Sequence, residues 1–310
     1  MQHESDISWQ VLRQIVQDWT GTAAELAQVQ PLEGGVINTT LALELKDGQR
    51  AVIKISPHRV NREHEREAYQ LNLLHEIGVP APKVYGWKMG SLEEPFSYIL
   101  MEFVGGVDLA EARRNCVPEQ FEMLQQHLAQ VVCAMHSRTG DKYMRVIRNG
   151  DAFDSWPRFF HHVHDPIWHE VEKSQLLPIK IRKLAGKIHE RLDQLLAHDD
   201  LPRLVHWDLW SSNVLCKEDP ATGHWSVSAV LDPNCKYAHA EAEIAYMELF
   251  HTCTPAFIKA YQQMFKLPTE YHQVRKPVYH LYSLLDHVQL FGQEYVKPAI
   301  TAVEKVGAMI

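Results

Sequence analysis

The sequence predicts an α+β protein with a small, β-rich amino-terminal lobe and a larger, mainly helical carboxy-terminal lobe. Alternating apolar residues over 41–45 and 50–55, joined by Asp47-Gly48, predict a β-hairpin. The segment 62–78 has helical spacing and ends at a glycine with prolines beyond it, which is typical of a helix stop. After residue 105, apolar faces at helical spacing predict further helices, at 121–136, 179–196, 250–265 and 278–291.

At 310 residues the chain is long enough for two lobes with substantial cores. We predict an amino-terminal lobe of residues 1–104, which includes a first helix, and a carboxy-terminal lobe of residues 105–310. The formal net charge of −8 argues against nucleic acid as a partner, because phosphate-backbone binding relies on clustered Lys and Arg.

Hydropathy and cysteine spacing indicate where the protein is expected to be located. No apolar run approaches membrane-spanning length, so no membrane partner is expected, and the polar amino terminus lacks a signal-peptide core. Five scattered cysteines without a C-x-x-C pair are typical of reduced thiols. We therefore expect a cytoplasmic protein.

The most informative motif is His206-Trp207-Asp208-Leu209-Trp210-Ser211-Ser212-Asn213, which has the pattern H-x-D-x-x-x-x-N and is followed by Asp232. Phosphoryl transfer needs a carboxylate that accepts the proton of the acceptor hydroxyl, and oxygen ligands that hold Mg²⁺ on the nucleotide phosphates. Asp208 suits the first role, and Asn213 and Asp232 suit the second. Short motifs of this kind also occur in ordinary capping loops, so the context decides.

The surroundings of this motif predict strands. Apolar runs at 204–205 and 214–215 predict a buried hairpin on either side of it, and the run 226–231 predicts a strand that ends at Asp232. We expect the three oxygen-bearing side chains to meet at one end of a small sheet.

The amino-terminal lobe carries residues suited to the phosphates of ATP. Lys54 lies late in the predicted return strand, where a lysine can reach the α and β phosphates. Upstream glycines allow backbone amides to approach phosphate oxygens closely. For Lys54 the alternative is an exposed charge on a strand, and for the glycines it is an ordinary turn. The predicted nucleotide-binding residues of the upstream segment are Gly34, Gly35, Asn38 and Thr39.

A glutamate on the following helix is expected to pair with Lys54 and fix its direction. Glu67 shares the apolar stripe of this helix with Leu71 and Leu74, so we choose it as the partner. Glu63 lies one turn earlier on the same stripe and is the alternative.

The apolar strand predicted at 97–101 runs into Gly105-Gly106 and is interpreted as the connection between the lobes. Adenine is expected to pack among apolar side chains here and to bond to main-chain groups of this segment. The alternative is an edge strand followed by a flexible turn. The residues predicted to contribute are Met101, Glu102 and Val104.

The chain carries, in this order, a glycine turn, a strand lysine, a helix glutamate, an apolar connection and two acidic motifs. This order resembles that of the protein-kinase-like superfamily, and within it the aminoglycoside phosphotransferase branch. The chain is most similar to the fructosamine (ketosamine) kinase family over about residues 30–296. The motifs that carry the resemblance lie at 34–38, 206–213, 232–243 and 281–295. The resemblance implies a two-lobed kinase-like fold, ATP and Mg²⁺ as cofactors, and a monomer or homodimer.

The sequence departs from the family pattern at several positions. Trp207 and Ser212 replace glycines of the catalytic motif, and Glu243 replaces an aspartate. Ala240 replaces an arginine, and Asp286 replaces an asparagine. Because the lysine and the three oxygen-bearing residues are intact, we expect an active enzyme whose exact acceptor is in doubt.

Asp232 leads within a few residues into a helical pattern, and no A-P-E segment follows it. A peptide-docking platform of the protein-kinase type is therefore missing, which favours a small acceptor. Carboxylates near the acceptor would suit a hydroxylated amine, although helix capping and a buried hydrogen bond explain them equally well. The candidate acceptor-site residues are Trp210, Glu241, Glu243, Asp286 and His287.

If the resemblance extends to the substrate, the acceptor is a ketosamine sugar on a free or protein-bound amine, and phosphorylation is a deglycation repair step. The alternatives are an aminoglycoside, choline or homoserine type of phosphotransferase, or a catalytically silent ATP-binding module. Trp207 motivates the silent module, because a bulky indole beside the base could crowd the acceptor. His161, His162 and His164 lack a partner cluster with metal-ligand spacing, so no metal site is predicted for them.

Overall fold

The computed structural model describes residues 9–21, 25–32, 39–57, 62–91 and 96–310. The chain divides into two compact units. The amino-terminal unit contains residues 1–106 and 228–232, and the carboxy-terminal unit contains residues 107–227 and 233–310. Gly34, Gly35 and Asn38, which are predicted to bind phosphates, lie outside the described residues.

The amino-terminal unit is built on a five-stranded antiparallel sheet. Its strands are β1 (Leu26–Pro31), β2 (Thr39–Leu45), β3 (Arg50–Pro57), β4 (Val84–Lys88) and β5 (Phe96–Glu102). The strand order is β1-β2-β3-β5-β4. The predicted hairpin is β2–β3, and its turn contains Gly48 at φ +86°, a left-handed conformation that glycine adopts without steric cost.

Two helices accompany this sheet, α1 (Trp9–Thr20) and α2 (Glu63–Glu76). α1 buries Leu12, Ile15 and Val16 in one apolar cluster with side chains of β2 and β3. The helix predicted over 62–78 is α2, which is followed by Gly78 at φ +76°. The alternating pattern of β3 buries Ala51, Ile53 and Ile55, and the intervening Lys54 lies on the other face of the sheet.

The carboxy-terminal unit is mainly helical. Its helices are α3 (Leu109–Asn115), α4 (Pro118–Ser137), α5 (Trp156–Lys173), α6 (Ile179–His189), α7 (Leu192–Leu195), α8 (Ala240–Leu249), α9 (Pro255–Tyr261), α10 (Lys276–Phe291) and α11 (Val296–Gly307). The predicted helix over 179–196 is therefore two helices, α6 and α7, and the one over 250–265 is reduced to α9. Among the described residues, no helix combines the length and the apolar character that a membrane crossing needs.

Short strands of this unit lie before and after the motif of residues 206–213. They are β6 (Val107–Asp108), β7 (Tyr143–Arg145), β8 (Ala152–Phe153), β9 (Arg203–Val205), β10 (Val214–Glu218), β11 (Trp225–Val230, of which residues 225–227 belong here) and β12 (Lys236–Ala238). One sheet has the order β8-β7-β12-β9, and the other has the order β11-β10-β6.

The hairpin predicted around the catalytic motif is wrong. β9 pairs with β12, whereas β10 belongs to the other sheet. The seven residues 207–213 are too irregular to act as a hairpin turn, because a left-handed residue and the 3₁₀ turn Ser211–Asn213 redirect the chain. The motif thus passes from one sheet to the other.

Candidate active site

Lys54 is held by two carboxylates in the amino-terminal unit. Its Nζ donates to Oε1 of Glu67 at 2.6 Å and also to Oδ1 of Asp232. The side chains of Lys54 and Glu67 are 13% and 12% exposed, whereas that of Asp232 is 52% exposed. The ion pair predicted between β3 and α2 is therefore present, and Glu67 is the glutamate that forms it.

The charge of Lys54 is stabilised by this arrangement. Burial alone lowers the pKa of a lysine, but the negative charges of Glu67 and Asp232 outweigh burial and raise the pKa of Lys54 above its usual value. The ammonium group is thus present throughout the neutral range, which suits a group that binds phosphate oxygens.

The residues predicted to contact adenine lie at the end of β5. Met101 is buried, and Glu102 is exposed. The amide of Glu102 donates to the carbonyl of Lys83 at 2.8 Å, so that amide is already bonded. Val104 is half-buried and follows the end of the strand. Thr39 is the first residue of β2, where it pairs with Ile55.

Asp208 is fixed by neutral hydrogen-bond donors in the carboxy-terminal unit. Nδ2 of Asn213 donates to its backbone carbonyl at 2.8 Å and to its Oδ2 at 3.1 Å. The hydroxyl of Tyr246 donates to its Oδ1 at 2.8 Å. The five-residue spacing of the motif thus folds Asn213 back onto Asp208, through the 3₁₀ turn that begins at Ser211.

Tyr246 is a residue that the sequence motifs did not reveal. It lies on α8, one turn beyond the acidic start of that helix. Burial and the charge of Asp208 both raise the pKa of Tyr246, so the hydroxyl keeps its proton and remains a donor. A tyrosine at this place in an apolar helix carries no recognisable sequence signal.

Trp207 adopts a left-handed backbone conformation at φ +70°. Such a conformation is unusual for a bulky residue and is readily adopted by glycine, the residue that the family pattern has at this position. Its amide donates to Oε1 of Glu243 at 2.6 Å, and its indole lies 4.4 Å from Nζ of Lys236. These contacts hold the strained residue beside Asp208.

Glu241 and Glu243, in the first turn of α8, both have buried partners. Glu243 accepts from the Trp207 amide and contacts Nε2 of His136 at 2.9 Å. Glu241 is 5% exposed and forms a bidentate ion pair with Arg275, at 2.6 and 2.8 Å. These contacts favour the alternative of buried hydrogen bonds, and a direct contact of either glutamate with an acceptor stays a prediction.

Asp286 and His287 lie on α10 among aromatic rings. Nδ1 of His287 donates to the carbonyl of Ser283 at 2.8 Å, which leaves Nε2 of the neutral imidazole as an acceptor. Burial lowers the pKa of His287 and raises that of Asp286. We call the rings around His287 the aromatic surface; they belong to Tyr246, Phe250, Phe291 and Tyr295.

The predicted site residues thus fall into groups. Lys54, Glu67 and Asp232 meet in the amino-terminal unit. Asp208 and Asn213 meet in the carboxy-terminal unit, where Tyr246 links them to the aromatic surface. Trp210 is 43% exposed and follows the motif aspartate by two residues.

The fold and these side chains define a phosphotransferase with a protein-kinase-like fold. A protein from Thermobifida fusca described as a fructosamine-3-kinase has a similar structure, with a TM-score of 0.75 at 23% identity over 96% of this chain and 99% of that one. An aminoglycoside phosphotransferase in a ternary complex with AMP-PNP and hygromycin B has a TM-score of 0.66 at 17% identity, over 96% of this chain and 99% of that one.

The chain belongs to the fructosamine kinase family, whose model matches residues 8–309. Members of this family are phosphotransferases that use ATP. A protein of Vibrio parahaemolyticus described as a probable ketoamine kinase is 29% identical over 311 residues, which cover 96% of this chain and 99% of the relative. One from Enterococcus faecium is 28% identical over 279 residues, which cover 86% and 91%.

Proposed function

We propose that this protein is an ATP- and Mg²⁺-dependent kinase that phosphorylates a sugar hydroxyl of a ketosamine. The observation that carries this proposal is the placement of Asp208. Its carboxylate is oriented by Asn213 and Tyr246, and Tyr246 also belongs to the aromatic surface. A carboxylate oriented in this way can take the proton of a hydroxyl that is held beside it.

Asp208 acts as the base in this proposal. The acceptor hydroxyl donates its proton to Asp208 while its oxygen forms a bond to the γ-phosphorus of ATP, and the bond from that phosphorus to the β,γ-bridging oxygen breaks. The two oxygens of an ionised carboxylate offer about four acceptor sites, so accepting hydrogen bonds from Tyr246 and Asn213 is compatible with taking this proton. Lys54 binds phosphate oxygens and is directed by Glu67.

Asn213 and Asp232 are the proposed ligands of Mg²⁺, and their chemistry fits the ion. The amide nitrogen of Asn213 is bonded to Asp208, so its other terminal atom is a carbonyl oxygen free of that contact. Asp232 offers a carboxylate that is 52% exposed. Oxygen ligands of this kind suit Mg²⁺, which neutralises charge on the phosphates when it is bound.

The aromatic surface is the proposed place for the sugar. Carbon–hydrogen faces of a sugar ring can pack against Phe291, which is 55% exposed, while Nε2 of His287 accepts a hydrogen bond from a hydroxyl. Asp286 offers a carboxylate to the substituted amine of a ketosamine. Phosphorylation at the third carbon of the sugar would destabilise the adduct and release the amine, which makes the reaction a repair step.

The test is ATP consumption by the purified protein with a panel of acceptors: fructosamines, ribulosamines, aminoglycosides, choline and homoserine. We expect turnover with ketosamines, a requirement for Mg²⁺, and a loss of about 10³-fold in kcat for Asp208→Asn, the size of a general-base contribution. Turnover with only the other acceptors would overturn the substrate and leave the phosphotransferase mechanism standing.

A catalytically silent ATP-binding module is the alternative that Trp207 motivates, and it is not favoured, because the indole packs against Trp156, His164 and Nζ of Lys236. Measuring ATP affinity with and without Mg²⁺ beside turnover separates the two functions. Tight binding of ATP with no turnover on any acceptor would favour the silent module.

We also propose that the protein works in the cytoplasm, where ATP is available and thiols stay reduced. None of its five cysteines forms a disulfide bond. A monomer or homodimer stays a prediction, which light scattering on the purified protein tests.

A further inference from the structure

A second cluster of ligand-type side chains lies in the helical unit, apart from the residues assigned to phosphoryl transfer. It consists of His161 and Asp165 on α5 and His189 at the end of α6. One ligand atom of each residue lies within 4.8 Å of the other two. The i, i+4 spacing of His161 and Asp165 places both side chains on one face of α5.

One nitrogen of each imidazole lies close to the same carboxylate oxygen of Asp165. Nδ1 of His161 lies 2.8 Å from Oδ1 of Asp165, and Nε2 of His189 lies 3.1 Å from the same oxygen. In a tetrahedral zinc site with bonds of about 2.0–2.1 Å, neighbouring donor atoms are about 3.3 Å apart. A small opening of this cluster would therefore admit the ion.

The ring orientation also suits a shared ligand. The two imidazoles are nearly perpendicular, with an interplanar angle of 82° and ring centroids 4.9 Å apart. Because the lone pair of an imidazole nitrogen lies in the ring plane, crossed rings can direct both lone pairs to one point.

His189 has an oxygen within hydrogen-bond distance of its other nitrogen. Nδ1 of His189 lies 2.7 Å from the hydroxyl of Tyr282. Histidines that bind metals usually donate their second N–H to such an oxygen, which fixes the tautomer and the ring direction. The cluster thus has three ligands and a group that orients one of them.

A comparable group at His198, Asp200 and His239 lacks this geometry. Its two imidazoles are stacked, with an interplanar angle of 19° and centroids 3.6 Å apart, so their lone pairs run parallel. Nδ1 of His198 already accepts the amide of Asp200 at 3.0 Å. Three ligand-type residues close together are therefore not sufficient, and the first cluster is the better metal site.

We propose that His161, Asp165 and His189 bind a divalent transition-metal ion, with Zn²⁺ as the best match. Two imidazoles and one carboxylate are ligands that zinc accepts, and water completes the four-coordinate shell. Asp165 is 42% exposed, so the ion and the water can reach the site. The bound ion would join α5 to α6 and stabilise the helical unit, because it binds the folded chain and not the unfolded one.

The test uses the full-length protein freed of metal with a chelator. Zn²⁺ is added, its affinity is measured by competition with a chromogenic chelator, and its stoichiometry is measured by elemental analysis. We expect one ion per chain at this site and a rise in the melting temperature on binding. Binding should weaken by about 100-fold or more in Asp165→Asn and by about tenfold in Tyr282→Phe, since even orienting groups contribute roughly 10–100-fold.

His169→Gln is the matched control. His169 is exposed on the same helix, and its Nδ1 bonds only to the backbone carbonyl of Asp165 among the contacts resolved for it. This variant should bind Zn²⁺ as the unchanged protein does. Circular dichroism without metal verifies that each variant is folded, and His161→Gln provides a second ligand variant if Asp165→Asn is not.

Three results would overturn this proposal: no Zn²⁺ binding by the unchanged protein, undiminished binding by both ligand variants, or binding that is lost in His198→Gln and kept in Asp165→Asn. The measured quantity is metal binding itself. The result of this test therefore does not depend on which acceptor the enzyme phosphorylates.

Discussion

The two units hold their functional groups by different physical means. In the amino-terminal unit, Lys54 is fixed by the charges of Glu67 and Asp232. In the carboxy-terminal unit, Asp208 is fixed by neutral donors, the amide of Asn213 and the hydroxyl of Tyr246. An ion pair keeps a charge in place over a range of geometries, whereas a neutral hydrogen bond fixes direction without cancelling the charge of the base.

This difference matches the two tasks. A group that binds phosphate oxygens needs a full positive charge, and the neighbouring carboxylates preserve it. The proposed base must keep an ionised oxygen for a proton, and the hydrogen bonds from Asn213 and Tyr246 direct the Asp208 carboxylate without adding a positive charge. Changes to the residues that hold these groups should therefore act through charge in the first unit and through geometry in the second.

After the loss expected for Asp208→Asn, the largest expected effect is that of Lys54→Met, which removes the ammonium and leaves Glu67 buried without its cation. We expect kcat/KM for ATP to fall by about 100-fold, the size of a lost charge-assisted contact. Glu67→Gln should cost about tenfold, because it only misdirects the lysine. The double variant should be no worse than Lys54→Met alone; additive losses would show that Glu67 acts independently of Lys54.

Acid should destabilise the amino-terminal unit through His64. Burial, and then the charge of Lys54, lower the pKa of His64 to about 4. The unfolded chain binds this proton near pH 6.5 and the folded chain does not, so the contribution of His64 to the free energy of unfolding should be constant above that pH. This contribution should fall by about 1.4 kcal/mol per pH unit between pH 6.5 and 4, or by about 2 kcal/mol at pH 5.

Denaturant unfolding at pH 7 and pH 5 measures this loss, and His64→Gln is the comparison. We expect the variant to lose about 2 kcal/mol less than the unchanged protein between the two pH values. Equal losses in the two proteins would contradict the assignment to His64.

In the carboxy-terminal unit, Tyr246→Phe removes one directional contact with Asp208 and keeps the ring of the aromatic surface. We expect kcat to fall by about tenfold, which corresponds to roughly 1.4 kcal/mol, a typical loss for a hydrogen bond to a charged group. The KM for ATP should not change. Phe250→Leu, which changes the aromatic surface without touching Asp208, should act mainly on the KM for the acceptor.

The smallest expected effect concerns the backbone at Trp207. Both Trp207→Ala and Trp207→Gly remove the indole and its contact with Lys236. Only glycine adopts φ +70° without strain, so Trp207→Gly should be more stable than Trp207→Ala by about 1 kcal/mol. Denaturant unfolding of the two variants measures the difference, and equal stability would mean that the strain is negligible.

The sequence predicted the parts of this site that rest on local periodicity. The alternation of β3 directs Lys54 away from the core residues on either side of it, and the apolar stripe of α2 selects Glu67 over Glu63. The spacing from Asp208 to Asn213 is short, so a single turn brings the two side chains together.

Contacts between distant segments were beyond such reasoning. Tyr246 follows Asp208 by 38 residues, and His189 follows Asp165 by 24 residues; neither pair has a motif. The sequence contains three histidines within residues 161–164 but shows no partner ligand for a metal, because the partner residues lie one turn away on α5 and on the next helix. Glu241 and Glu243 likewise have the chemistry of acceptor ligands, but in the structure they contact Arg275, His136 and the amide of Trp207.

The sequence by itself determined the order of elements, the family and the chemical types at the site, because side-chain periodicity and motif spacing are local properties of a chain. Only the tertiary structure decided which group each functional side chain contacts, and so which carboxylates are bonded and which can act. The reason is physical: a buried polar atom takes whatever partner the packing of remote helices and strands provides, and that packing depends on the whole chain.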